Sequence, residues 1–351
     1  MKEEEYGLNW KVTTAAMGLA LLASTGMTRA EGQLNLFQWG NYTNPEVIKD
    51  FEQKYDVKVT ITDYDSNDTA LAKVRQGGHG YDMVVPSQTY MPIWISEGLL
   101  LETDPGKMEN FKNIEAAWAD PAFDPGRKYS VPWALGTVGV VVNTDTYKGD
   151  INTWDIIFKT PDELKGKVNL IPEMKDVITA AVKYLGGEQC TDDMAVLKKV
   201  RDLLVEAKPN WVAMEYSTVE KMSAGDLQAS TAWNGAAMRM RLANPAIHYG
   251  YPKEGFSLWS DNLVVLKDAK NVENAKLFQN YIMDPQVAAK LSSFHRYANG
   301  VAGSEQYLPD DMKGAPELVI PADLESHGEF AIKCSPETQA IYTKIWTELQ
   351  K

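Results

Sequence analysis

Cysteine is scarce in this chain, with only Cys190 and Cys334. Histidine is nearly as rare, with four residues, His79, His248, His295 and His327. The cysteines form no CxxC pair and have no histidine neighbour. The histidines form no HExxH motif and show no metal-like spacing, so a zinc site is not expected. In an oxidising compartment two cysteines point to one disulfide, with two separate buried thiols as the alternative. Closing so long a loop would add roughly 4–5 kcal/mol in the chain-entropy picture. Positive charge is also short. Lys and Arg number 35 against 48 Asp and Glu, a formal net charge of −13. That balance argues against a nucleic-acid partner, because phosphate binding needs clustered Lys and Arg. It suits a cationic ligand steered inward by the field, and it equally suits a protein that is merely soluble.

Long apolar runs are missing after residue 30, so no membrane-spanning helix is expected there. Before that point, Lys11 precedes an apolar run from Val12 to Ser24, and Thr28 and Ala30 offer small residues around a cut after Ala30. Residues 1–30 therefore read as a signal peptide, although Glu3, Glu4 and Glu5 are unusual in its head region. Neither an internal repeat of fixed period nor a disordered linker is visible. No cofactor motif is present: the turn Gly77-Gly78-His79-Gly80 is not a phosphate loop, and the segment around Ser257 lacks the closing glycine of a nucleophile elbow.

What is there is size for two domains, 351 residues of which 44% are hydrophobic. Strand, helix and strand alternate from residue 33 onward. Gln33–Trp39 reads as a strand, Pro45–Tyr55 as a helix with proline in its first turn, and Val57–Tyr64 as an alternating β-branched strand. A helix follows, capped by Ser66, Asn67 or Asp68 and stopped by Gly77 and Gly78. Next comes a short buried strand over Tyr81–Ser87, then a helical stretch from Thr89 to Leu100. This order predicts an α/β fold with a parallel sheet and right-handed crossovers, whose ligands sit beyond the carboxyl ends of strands. A second unit opens with the apolar run Thr137–Val142. It continues through a short capped helix at Thr160–Gly166, a strand ending on Glu173, and a helix closed by Gly186 and Gly187. An amphipathic helix follows, capped by Thr191, with Met194, Leu197, Val200, Leu203 and Leu204 on one face. Further strands end at Trp233 and carry Trp259 and Asp261, and helices close the chain.

The ends of the expected strands carry Trp39, Tyr42, Tyr90, Glu173, Trp233, Trp259 and Asp261, with Asp176 just beyond Glu173. Singly, each has a bland explanation: such tryptophans are mostly core, and such acids are mostly solvated. Together they supply what an organic ammonium ligand needs. A carboxylate about 4 Å from a cation gains roughly 4 kcal/mol at an effective dielectric near 20, before desolvation. An aromatic face adds about 0.5–2 kcal/mol and covers methylene groups. A hydrolase is the rival class. Glu173 and Asp176 could serve as general acid and base, but no motif carries a mechanism, so the chain is read as a binding protein rather than an enzyme.

At these residues the sequence resembles the spermidine/putrescine-binding proteins, the exported receptors of bacterial polyamine ABC importers. The carrying stretches are FQWGNYTNPEVIKDFEQKYDVKVTITDYDSND, YDMVVPSQTYM, EGLL, YSVPWALGTVGVVVN, WNGAA and YPKEGFSLWSDNLVV. They span essentially the whole chain after residue 31, and YDMVVPS, WNG and PKEG…WSDNL are specific in combination. The resemblance implies a type II periplasmic binding protein with a ligand cleft between two lobes. Lobe 1 would hold residues 31–137 plus 261–306, and lobe 2 residues 138–260 plus 307–351. Two strands would cross between them, near Thr137–Val140 and Ser257–Asp261. The protein would act in the periplasm as a monomer without a cofactor. Its partners would be a small cationic amine, putrescine or spermidine, and the inner-membrane permease.

Carried over residue by residue, Trp39 and Tyr42 would wall the pocket, with Ser87 and Tyr90 in the loop after the third strand. Glu173 and Asp176 would bind ammonium groups, Trp233 and Trp259 would flank the carbon chain, Asp261 would take an amine near the hinge, and Tyr297 would line the site. Three positions depart from the family pattern. Asn41 replaces an acid, Thr89 replaces a tyrosine and Ala331 replaces a glutamine. Both Asn41 and Thr89 remain candidate ligand contacts. The missing acid makes a diamine as good a fit as spermidine. A zwitterion such as 4-aminobutyrate is the alternative within the fold, with Arg239 or Arg241 as its carboxylate partner.

Overall fold

The computed structural model describes residues 32–351, so the expected signal peptide over 1–30 lies outside the described residues. The chain opens with β1 (Gly32–Trp39), α1 (Pro45–Tyr55), β2 (Val57–Tyr64), α2 (Asn67–Arg75), β3 (Met83–Val84) and α3 (Met91–Ser96). The local chemistry explains these limits. The Asn44 side chain accepts from Glu46 N–H to cap α1, and Asp56 ends that helix at a left-handed φ of 55°. Ser66 caps α2 by accepting from Thr69 N–H. The third strand is shorter than the sequence implied, and only the middle of the stretch expected as helix beyond it is helical, because Tyr90 and Glu97 bound a single turn and a half.

After α4 (Ala116–Ala119) comes the long strand β4 (Ser130–Asn143), then α5 (Asp155–Phe158), β5 (Val168–Leu170), α6 (Met174–Tyr184) and α7 (Met194–Ala207). The segment expected as a short capped helix before β5 is a 3₁₀ turn at Asp162–Leu164. The cap of α7 is Asp193, which accepts from Ala195 and Val196 N–H; Thr191 instead accepts from Asp193 N–H. Met194, expected on the buried face, is 62% exposed because it opens the helix and points away from the core. The chain continues with β6 (Trp211–Met214), α8 (Thr218–Ala224), β7 (Ala229–Trp233), α9 (Asn234–Ala243), β8 (Ile247–Gly250) and β9 (Phe256–Val265). It closes with α10 (Val272–Ile282), α11 (Pro285–His295), β10 (Gly328–Phe330) and α12 (Pro336–Leu349).

The sheet is mixed rather than wholly parallel. Its path runs β2-β1-β3-β9-β4-β7-β5-β6. β1 is parallel to β2 and β3, and β5 is parallel to β6 and β7. The expected parallel pattern thus holds at the two ends of the path. It breaks where β4 and β9 run antiparallel to each other and to their outer neighbours β7 and β3. Those two strands pass between lobes. β4 pairs with β9 over Ser130–Thr137 and with β7 over Val138–Val142. Each lobe has its own core. One gathers Leu34, Phe51, Met83, Trp133 and Phe278; the other gathers Val140, Ile156, Ile178, Leu204 and Trp346. Trp233 and Trp259 pack against both cores.

Cys190 and Cys334 form a disulfide. It joins the α6–α7 connection to the segment entering α12, and α12 packs on α6 and α7. The bond therefore fastens the chain's final helix to the α6–α7 pair.

Candidate functional site

Asp261 sits where β9 leaves one lobe for the other, and it is 6% exposed. Tyr42 Oη donates to its Oδ2 at 2.6 Å, and Ser87 Oγ donates to its Oδ1 at 2.6 Å. A bridge between the backbones of Ser87 and Asp261 sets that pairing. Ser87 is itself held by Asn67, whose Oδ1 accepts from Ser87 N–H at 3.0 Å and whose Nδ2 donates to Ser87 Oγ at 3.1 Å. The loops after β1 and β3 thus meet on one carboxylate, as expected for ends of parallel strands. Burial pushes the Asp261 carboxyl up to about 6, and the Ser87 and Tyr42 hydrogen bonds pull against that rise. Around it, Tyr42 and Tyr297 rings meet at 6.3 Å, and Trp259 stands edge-on to Tyr297 at 4.9 Å.

Trp259 keeps its place because position 136 has no side chain. A Cβ on Gly136 would lie 2.3 Å from Trp259 Cζ2 and 2.5 Å from Asn234 Oδ1. Gly136 pairs with Trp259 and Val138 pairs with Trp233. Paired residues share a face and residues two apart on a strand share a face, so both indoles rise from the same side of the sheet.

Glu173 occupies the N-cap position of α6, yet its carboxylate does not cap the helix. It turns instead to Tyr216, whose hydroxyl donates to Oε1 at 2.5 Å. Asp176, three residues on, accepts from Trp233 Nε1 at 3.3 Å. The Tyr216 ring lies within 16° of parallel to Trp233, with centroids 6.5 Å apart. Burial raises Glu173 to about 7; Tyr216 opposes the rise, while Asp176, Asp68 and Asp65 add to it. Burial also raises Asp176, against Lys175 and Trp233. The Lys175 ammonium is lowered to about 8 by its own burial, with Asp176 opposing. No lysine or arginine among the described residues supports the charge on Asp261 or Glu173.

The remaining expected residues fall nearby with different roles. Trp39 donates from Nε1 to Val85 O at 3.0 Å and packs its ring on Tyr64. Tyr90 donates to Asp68 Oδ1 at 2.9 Å, and its phenol is raised by burial and then by the charges of Asp68 and Glu173. Asn41 is exposed at a left-handed φ of 56°, and Thr89 is half-buried; neither bonds to these carboxylates. Ala331 offers its carbonyl to Gln88 Nε2 at 3.4 Å. Arg241 is committed to the buried Glu317 through Nε and Nη2, which removes it as a partner for a ligand carboxylate. Sequence reasoning missed Asn67, Asp68, Lys175 and Tyr216. Asn67 and Asp68 were visible only as helix-cap candidates. Nothing local marks Tyr216, which lies in an unremarkable turn.

The profile of the bacterial extracellular solute-binding proteins matches residues 46–319. The chain belongs to this family. Among its relatives, the spermidine/putrescine-binding periplasmic protein 1 of Haemophilus influenzae is 28% identical over 325 residues, covering 92% of this chain and 89% of that protein. The putrescine-binding periplasmic protein SpuD of Pseudomonas aeruginosa is 28% identical over 361 residues, covering 95% of this chain and 98% of that protein. Among solved structures, the spermidine/putrescine ABC transporter substrate-binding protein PotD of Streptococcus pneumoniae superposes with a TM-score of 0.80 at 26% identity, covering 91% of this chain and 98% of that one. The two-lobed extracellular solute-binding fold is thereby the frame in which these carboxylates and rings are placed.

Proposed function

We propose that this protein is the periplasmic receptor of a polyamine ABC importer, and that it captures putrescine or spermidine between its lobes without chemistry. The observation that carries this reading is the isolation of Asp261. It is a buried carboxylate with two neutral donors, no cationic partner among the described residues, and aromatic rings on its flanks. A buried acid without a cation is costly unless something brings one. An aliphatic ammonium fits that need, and indole faces cover the carbon chain attached to it. The names of the relatives agree with a short amine.

In this reading residues 31–137 with 261–306 move against residues 138–260 with 307–351, bending where β4 and β9 cross. The acidic field draws the cation in, Asp261 and the Glu173–Asp176 pair take its ammonium ends, and Trp233 and Trp259 hold the chain. Trp39, Tyr42, Ser87, Tyr90 and Tyr297 complete the wall, with Asn41 and Thr89 at its edge. Permease subunits then read the closed form. A thermal-shift panel tests this: a ligand that binds only the folded state raises the melting temperature. Putrescine and spermidine should raise it and amino acids should not. A shift with 4-aminobutyrate and none with either polyamine contradicts the ligand assignment.

A further inference from the structure

One large side chain of lobe 2 stands in water without a packing reason. Tyr216 is 56% exposed. The turn that carries it is nonetheless held from inside. Asn169, fully buried on β5, accepts from Glu215 N–H at 3.1 Å and donates to Glu215 O at 3.1 Å and Thr218 Oγ1 at 3.3 Å. Thr218 N–H closes the turn on Tyr216 O at 2.8 Å. Exposed loop tips are ordinarily loose, and a buried amide is tolerated only where its bonds are made. Here those bonds fix the backbone on both sides of one exposed aromatic residue. Its hydroxyl reaches Glu173 and its ring parallels Trp233.

We propose that Tyr216 is the outer wall of the ligand cleft and selects the amine by length. This inference rests on the amine-receptor reading. The phenol ring covers the methylenes next to the ammonium held by Glu173, facing the same chain as Trp233, and so closes that end of the cleft to longer ligands. Its hydroxyl occupies one oxygen of Glu173 and fixes the carboxylate, leaving the other oxygen for the ammonium. A residue whose only task was to stabilise lobe 2 would be buried, and this one is not.

The experiment is calorimetry of the wild type, Tyr216→Ala and Tyr216→Phe with diamines of increasing chain length and with spermidine, repeated across pH. For the wild type's preferred diamine, Tyr216→Ala should weaken binding by roughly 2- to 30-fold, the range of a lost aromatic face on a cation. It should weaken longer amines less, or tighten them. Tyr216→Phe should keep the length ranking. It should also move the pH midpoint of binding upward, because Glu173 loses the donor that opposes its raised pKa. Unchanged affinity and ranking in Tyr216→Ala overturns the inference, as does an equal loss for every length. A wild type that binds none of these amines removes the receptor reading and this inference with it. A wild type that binds them beside an unaltered Tyr216→Ala removes this inference alone.

Discussion

Tyr42 and Asp261 are 219 positions apart in sequence, and their side-chain oxygens lie 2.6 Å apart. The contact joins the loop after the first strand to a strand that crosses between lobes. Among the described residues, the side chains that donate to this carboxylate, Tyr42 and Ser87, are neutral. An anion held in this way gains a full charge partner only when a cation arrives.

Replacing Asp261 by asparagine should therefore separate binding from folding. The amide keeps the shape and still accepts from Tyr42. Amine affinity should fall by more than about 100-fold, the scale of one partly desolvated charge pair. The ligand-free melting temperature should hold or rise, because an uncompensated buried charge is gone. Calorimetry and thermal unfolding on the same preparation check both halves, and undiminished affinity contradicts the role given to Asp261.

Binding should depend on pH with a defined sign. Glu173 and Asp261 titrate near 7 and 6 in the ligand-free fold, above the ordinary carboxylate values of 4.5 and 3.8. An ammonium ligand needs both as anions. Affinity should be greatest above about pH 8 and weaken as pH falls through 7 and then 6, with protons released on binding in that window. The stability of the ligand-free protein runs the other way. Raised carboxylates contribute stability that is full below their unfolded values and is lost as pH rises through 6 to 7. Calorimetry in buffers of different ionisation enthalpy counts the protons, and an absence of proton release below pH 7 contradicts the assignment.

Gly136→Ala tests the seat of Trp259. The added methyl would fall 2.3 Å from the indole, so the ring or the strand must move. Overpacking of this kind costs about 1–3 kcal/mol. Both the denaturation midpoint and amine affinity should drop. A drop in stability with wild-type affinity would mean that Trp259 does not touch the ligand.

Much of this was legible in the sequence because the signals are local. Proline at the start of α1, the serine cap of α2 and the β-branched alternation of β2 each fix an element within a few residues. The candidate carboxylates and indoles were legible because they recur at strand ends. The sheet's mixed direction was not, since nothing in the composition of β4 or β9 says which neighbour each will meet. β6, β8 and β10, of three or four residues each, are too short to announce themselves. Tyr216 was hidden for a related reason: an exposed tyrosine in a turn becomes informative only when Glu173 and Trp233 are seen beside it.

The disulfide should matter for stability and not for the ligand. Cys190 and Cys334 are 144 residues apart and tie the segment entering α12 to the α6–α7 connection. Replacing both by serine should cost about 2–5 kcal/mol of stability. Denaturant titration measures the loss, and calorimetry should find amine affinity unchanged. A matching collapse in affinity would show that α12 and the segment before it govern closure.

The most direct test of the central claim is a crystal structure of the protein with putrescine. One ammonium should lie about 3 Å from Asp261, the other should lie on the Glu173–Asp176 side, and the carbon chain should run past Trp233 and Trp259. Putrescine bound elsewhere, with Asp261 holding only Tyr42 and Ser87, would contradict the account.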